Sequence, residues 1–343
     1  MARSGARSDK AKIQFGYKLM SETTGPRELV RNAQLAEQAG FDFVGLSDHY
    51  LPWLESHGHS PFAWSVLGAV AATTERIGIA TGLTCPIIRY HPAIVAQAAA
   101  TIAVMSGGRF TLALGAGERL NEHVVGYGWP PVHHRHDMLR EAIEIMRGLW
   151  EGRLYSHSGE YYEVESARIY DLPEEPVPIV LGVSGKKSAT LAGELGAGLM
   201  AVEPEPSLIK DWKSAGGEGA RYIELSFAYA DSEEQGLKIA HEYSRFGALG
   251  WEVLAELPGV KAFEGATKYI KPEDLKDSIP HGPDPEPYLE HINKAIDAGF
   301  DHVVLLAAGP DQAGFIRFFE QTLAPELRGV SQKAQPSGKR KKK

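Results

Sequence analysis

The chain is short of most features that assign chemistry directly. Among its 343 residues there is one cysteine, Cys85, so an intrachain disulfide and a cysteine-based zinc site are both excluded. Long apolar runs are missing. The longest candidate, Val66–Ala72, falls far short of the roughly 20 residues that span a bilayer. The first twelve residues are polar and basic and contain no apolar signal core. The expectation is a cytoplasmic protein without a membrane partner. Positive charge is also in the minority, with 36 Lys and Arg against 44 Asp and Glu and a net charge of -8. That balance argues against nucleic acid as a partner. The exception is the C-terminus, where Gly338–Lys343 reads GKRKKK. Residues 330–343 are expected to be a disordered basic tail, and residues 1–12 a flexible N-terminus. Two nucleotide signatures are absent. GVSGKK (Gly182–Lys187) lacks the Walker spacing, and GYKLMSE (Gly16–Glu22) is not the Gly-rich turn of a dinucleotide fold.

What remains is ordinary globular composition, 43% hydrophobic and 23% charged, arranged with a clear rhythm. Strand candidates at 13–17, 43–46, 77–81, 109–114, 177–181, 198–202, 222–229 and 302–306 alternate with helical segments. The longest, 137–150, places Leu139, Ile143, Met146 and Leu149 at helical spacing. Eight strands alternating with helices imply a parallel sheet closed as a (β/α)8 TIM barrel over residues 13–329. An open doubly wound sheet is the alternative. Two stretches break the rhythm, 118–135 and 230–281, and are expected to be insertions on βα loops, the face where barrel enzymes do chemistry. Residues 159–170 read as a surface hairpin.

Candidate chemistry gathers at strand ends. Asp48, His49 and Trp53 follow the second strand. An imidazole titrates near neutrality and can take a proton from an alcohol, and an indole offers a flat wall. The structural alternative is Asp48 as a helix cap beside a packed histidine. Gly115, Gly117, Glu118 and Asn121 follow the fourth strand in LGAGERLNE. There the glycines permit close approach of a ligand, whereas Glu118 alone fits the first turn of a helix. The Gly182–Lys187 segment, with Ser184 before a helix start, offers backbone amides to a phosphate or is a plain glycine turn. Thr84 and Cys85, after the third strand, are expected at the barrel mouth, with Cys85 a packed thiol. His133, His134 and His136 lack a ligand-pair spacing, as do His57 and His59, so no metal is expected.

Taken together, GYKLMSE, PREL (Pro26–Leu29), SDHYLPW (Ser47–Trp53), LTCPIIRYHPAIVAQ (Leu83–Gln97), GAGERLNE (Gly115–Glu122) and LAPELR (Leu323–Arg328) resemble the F420-dependent dehydrogenases of the luciferase-like superfamily. The likeness is to its glucose-6-phosphate dehydrogenase-like and secondary-alcohol dehydrogenase branches. The resemblance implies coenzyme F420 as cofactor. It also implies His49 as base, Trp53 as a wall at the reacting centre, Glu118 as the acid toward N1 of the deazaflavin and Glu22 as a carboxylate near the substrate. Asp48, Gly82, Leu83, Cys85, Asn121, Val183, Ser184 and Gly185 become cofactor-binding positions, with Gly82–Leu83 at a peptide that is cis in the superfamily. Homodimers are common among its members. Where sugar-phosphate members place basic residues, this chain has Glu205 and Ser278, so an uncharged alcohol or its ketone is the expected substrate. Lys261 or Lys268 are the nearest candidates to compensate. The competing readings are an FMN-dependent monooxygenase, a sugar-6-phosphate dehydrogenase and a non-catalytic barrel.

Overall fold

The computed structural model describes residues 12–333. Residues 1–11 of the N-terminus expected to be flexible over 1–12, and the GKRKKK run, lie outside the described residues. Strands β1 (Gln14–Leu19), β2 (Phe43–Leu46), β3 (Gly78–Thr81) and β4 (Phe110–Leu114) are followed by a separate antiparallel pair, β5 (Tyr155–Ser158) and β6 (Glu163–Ala167). Strands β7 (Ile179–Gly182), β8 (Gly198–Ala201), β9 (Arg221–Phe227) and β10 (His302–Ala307) complete the sheet. Eight strands close in the order β1-β10-β9-β8-β7-β4-β3-β2, all pairs parallel. The fold is therefore the (β/α)8 barrel that the alternating rhythm predicts.

Helices α1 (Pro26–Gln38), α2 (Ala63–Thr73) and α3 (Pro92–Met105) follow the first three strands, and β4 leads into the short α4 (Arg119–Glu122) and the long α5 (Val132–Trp150). Helices α6 (Lys186–Glu194) and α7 (Pro206–Ser214) follow β7 and β8. Strand β9 leads into α8 (Glu233–Ser244), α9 (Trp251–Leu254) and α10 (Val260–Ala266), and then α11 (Glu286–Asp297). Helix α12 (Gln312–Phe318) passes through a wide turn at Phe319–Leu323 into α13 (Ala324–Lys333). Helix thus persists to Lys333, through the first four residues of the segment expected to be disordered.

Strand side chains divide between two cores because successive residues point to opposite faces. On β1, Phe15, Tyr17 and Leu19 join the main cluster against the helices. Inside the barrel, Phe43, Ala113, Val180, Met200, Tyr222 and Val304 form their own cluster. Above this apolar plug the interior turns polar. Lys18 and Glu224 face each other at 2.6 Å, with side-chain exposures of only 6% and 16%.

The two insertions hold more helix than the sequence reading anticipated. Helix α5 begins at Val132, directly after Pro131, rather than at Asp137, so His133, His134 and His136 sit in its first turns. The segment after β9 folds into three helices and intervening 3-10 turns.

Candidate active site

The carboxyl ends of three strands build the site, β1 next to β2 and β4 one strand further on, beyond β3. β1 runs into Ser21 and Glu22, β2 into Asp48 and His49, and β4 into the loop that carries Glu118. The His49 ring places Nδ1 3.1 Å from the Leu51 carbonyl oxygen. A carbonyl can only accept, so Nδ1 carries the proton and Nε2 is left as the free base of the neutral ring. That Nε2 lies 3.4 Å from Glu22 Oε1 and 3.5 Å from Glu118 Oε2. One imidazole nitrogen is thus shared by two carboxyl groups from different strand ends.

The two carboxyls are driven apart in acidity. Burial alone would raise Glu22, but the His49 and Lys18 charges and the Ser47 hydrogen bond hold it below the ordinary carboxylate value. The Ser47 hydroxyl donates to Glu22 Oε2 at 2.6 Å and the Ser21 hydroxyl at 3.2 Å. Glu118 is raised instead, chiefly by burial and partly by the Glu22 charge, against the pull of His49. A pair of acids pushed in opposite directions is the usual sign of divided proton-transfer roles.

Asn121 fixes the relation between the two motifs. Its Oδ1 accepts the amides of Tyr50 and Leu51 at 2.9 and 3.2 Å, and its Nδ2 donates to Glu118 Oε2 at 3.1 Å. Asp48 is 3% exposed and fully engaged, accepting from Thr84 Oγ1, Arg89 and Tyr90. Its carboxylate orients the strand end, and these three hydrogen bonds take up most of its acceptor positions.

Trp53 closes one side. Its ring stacks on Phe246 at 4.7 Å and meets Phe263 edge-on at 5.1 Å, with the His49 ring at 4.9 Å. Phe246, Leu254 and Phe263 all come from the insertion after β9 and pack with Met20, Leu120 and Leu306. The insertion therefore forms an apolar roof against Trp53. Beneath it His57 is buried, and desolvation holds it down to about 4, so the roof covers a neutral ring.

The positions expected to hold a cofactor separate on inspection. The Gly82–Leu83 peptide is cis. The Leu83 side chain fills the space between strand ends, since a Cβ built on Gly182 would lie 2.4 Å from it. Leu83 lies on the strand end next to that of His49 and offers an apolar surface to a planar ring. Cys85 is the packed thiol expected from the sequence. It sits in the main core, behind Gly117, where a Cβ would come within 2.6 Å of Sγ. Burial raises the thiol well above its usual value, and its 7% exposure leaves little of the side chain to face a cofactor. Val183 spends its amide on the Met200 carbonyl at 2.8 Å. The Ser184 and Gly185 amides face Ser188 Oγ at 3.1 and 3.3 Å. A phosphate at α6 therefore relies on the first-turn amides and on Lys186 and Lys187, which are exposed there. The residues present fit an elongated anionic cofactor with a flat head.

Sequence reasoning did not single out Lys18, Glu224, Arg89, Glu122 or Phe246. Lys18 had a readable signal: a lysine between Tyr17 and Leu19 in an apolar strand. Among the described residues no group of three or more His, Cys, Asp or Glu is arranged to hold a metal.

Comparison with known proteins agrees with this geometry. The family model described as luciferase-like monooxygenase matches residues 11–302. An F420-dependent glucose-6-phosphate dehydrogenase of Nakamurella multipartita is 35% identical, over 93% of this chain and 97% of its own length. That of Microbacterium testaceum is 37% identical over 92% and 98%. Among solved structures, an F420-dependent secondary alcohol dehydrogenase in complex with an F420-acetone adduct superposes with a TM-score of 0.84. It is 30% identical and is covered over 97% of its length by 90% of this chain. The F420-dependent tetrahydromethanopterin reductase of Methanopyrus kandleri shares the fold, with a TM-score of 0.74 at 20% identity over 92% of this chain and 100% of its own.

Proposed function

The chain belongs to the luciferase-like monooxygenase family, and from that premise we propose that it oxidises an uncharged alcohol, or reduces the matching ketone, with His49 and Glu118 as its proton-transfer groups. It is an F420-dependent oxidoreductase. The observation that carries the catalytic reading is the single His49 nitrogen set between a carboxyl held low, Glu22, and one held high, Glu118. When bound, F420 supplies a hydride acceptor at C5 and a proton acceptor at N1. His49 Nε2 takes the hydroxyl proton, because Nδ1 is committed to Leu51. Ionised Glu22 stabilises the imidazolium so formed. Glu118, made a weaker acid by burial, is the group that delivers a proton to the cofactor side.

The substrate class follows from where positive charge is spent. Lys18, Arg89, Arg135 and Arg245, on the elements around the site, pair with Glu224, Asp48, Glu256 and Glu264 respectively. Glu205 caps the start of α7 and is exposed, and so are Glu203 and Ser278. A phosphate dianion needs charge-assisted donors, and these positions supply none. The test has two arms. Fluorescence titration is expected to show tight F420 binding and weak FMN binding, and the reverse result refutes the F420 assignment. The ratio of kcat/KM for cyclohexanol to that for glucose 6-phosphate is expected to exceed about 10, and a preference for the sugar phosphate moves the enzyme to that branch.

We also infer a homodimer. Helices α2 and α3 contain no charged residue, and a helix apolar all round is normally covered on every side. Yet Phe62 and Ile94 are more than half exposed, and Val104 and Met105 nearly half. A second copy of this face is the natural cover. Ile94→Glu is expected to shift the sedimenting species to the monomer mass. A wild-type protein that is already monomeric at micromolar concentration removes the inference.

A further inference from the structure

We propose that Arg89 is a positioning residue that clamps the His49 and Glu118 strand ends into one site. The inference rests on the roles given above to those two residues. Arg89 lies in the loop between β3 and α3, with its side chain only 7% exposed. It reaches the β2 end through two bonds. Its Nη2 donates to the Asp48 backbone carbonyl at 2.7 Å and to Asp48 Oδ1 at 3.0 Å. The first of these carbonyls belongs to the peptide that joins Asp48 to His49. Arg89 reaches the β4 end as well. Its backbone amide donates to Glu122 Oε2 at 2.7 Å, and its Nε faces Glu122 Oε1 at 3.5 Å. Glu122 ends α4, the one-turn helix whose capping residue is Glu118.

Nothing else the guanidinium touches lies outside these segments except its neighbour Tyr90, whose hydroxyl also donates to Asp48 Oδ1 at 3.0 Å. The clamp is incomplete on the Glu122 side. Arg89 Nε and Glu122 Oε1 are both buried and lack a hydrogen-bond partner. A buried ion pair contributes little net stability against an apolar replacement, and its better-attested use is to specify one geometry. Here the geometry specified is the separation of two acid–base groups. The planar fork matters because Nη2 holds Asp48 while Nη1 donates to the Tyr90 hydroxyl and Nε faces Glu122, a spread of donors that a lysine ammonium on a flexible stem cannot reproduce.

Arg89→Lys keeps the charge and removes the fork. It is expected to fold, to leave KM for the alcohol within about threefold, and to lower kcat about 10–100-fold, the scale set by misplacing a reacting group by about 1 Å. The second readout needs no cofactor and no substrate. ¹⁵N NMR of the ligand-free protein at alkaline pH is expected to show one Nδ1-protonated His49 tautomer in the wild type. A tautomer mixture, or displaced ring shifts, is expected in Arg89→Lys. If the variant keeps wild-type ring shifts and wild-type kcat and loses only melting temperature, Arg89 is a packing element and the proposal is overturned. The NMR arm stands even if the alcohol reading fails, since it reports His49 geometry alone. Glu122→Gln, which preserves the acceptor for the Arg89 amide but weakens the charge, is expected to give a smaller displacement in the same direction. An unchanged spectrum there, together with an unchanged one in Arg89→Lys, overturns the proposal outright.

Discussion

His49→Ala and Glu118→Gln are each expected to lower turnover by about 10²–10⁴-fold, the usual worth of a general acid or base, with cofactor affinity changed only a few fold. The reason lies in where the two groups sit. His49 meets the carboxyls through Nε2 alone, and its other nitrogen is held by backbone, so removing the ring deletes the proton acceptor that links them. In the direction of alcohol oxidation, rate requires His49 unprotonated and Glu118 protonated. Activity in that direction should therefore fall as Glu118 ionises. Because burial raises Glu118, the falling limb lies on the alkaline side of an ordinary glutamate. Glu118→Gln cannot ionise and should lose that limb. Near wild-type single-turnover rates in both variants would show that the proton route lies elsewhere.

Lys18→Met is expected to destabilise the fold by about 3–5 kcal/mol, the range for removing one partner of a buried ion pair. The Lys18 ammonium donates to Glu224 Oε2 and to the Gly82 carbonyl oxygen, both at 2.6 Å. Its loss leaves the Glu224 carboxylate in the barrel interior without its counter-charge. The double variant Lys18→Met with Glu224→Gln should recover most of the loss, because the uncompensated charge is then gone. Denaturant unfolding of the wild type and both variants measures this directly, and equal stability of the single and double variants would contradict it. The single variant should also shift the Glu22 carboxyl upward, since the Lys18 charge is one of the influences holding it down.

The barrel was legible because each parallel strand is buried on both faces and reads as a short apolar run between turns. All eight runs became strands, with ends displaced by one or two residues. The insertion after β9 was not legible as structure. Its helices α9 and α10 have four and seven residues, too few for a period to emerge, and they are held by packing on Trp53 rather than by propensity. The start of α5 was missed because three histidines hide the period, although the Pro130–Pro131 pair just before it marks the boundary. At the site, the motif residues were readable at strand ends. The partners that hold them were not. Arg89 looks like a loop charge in the sequence and becomes buried only once β2 and β4 flank its loop. Asp48 reads as a cofactor position in the sequence, and only the fold shows the three hydrogen bonds that also make it part of the supporting scaffold.

The placement of Cys85 behind Gly117 has a consequence for handling the protein under oxidising conditions. A thiol that is 7% exposed and resists ionisation is a poor target for peroxide or for alkylating reagents. Because it is the only sulfhydryl in the chain, the slow rate at which a maleimide captures it counts how often the loops after β3 and β4 separate. Those are the loops on which the acid, the base and their fastening residues depend, so a single chemical label becomes a clock for opening of the catalytic face.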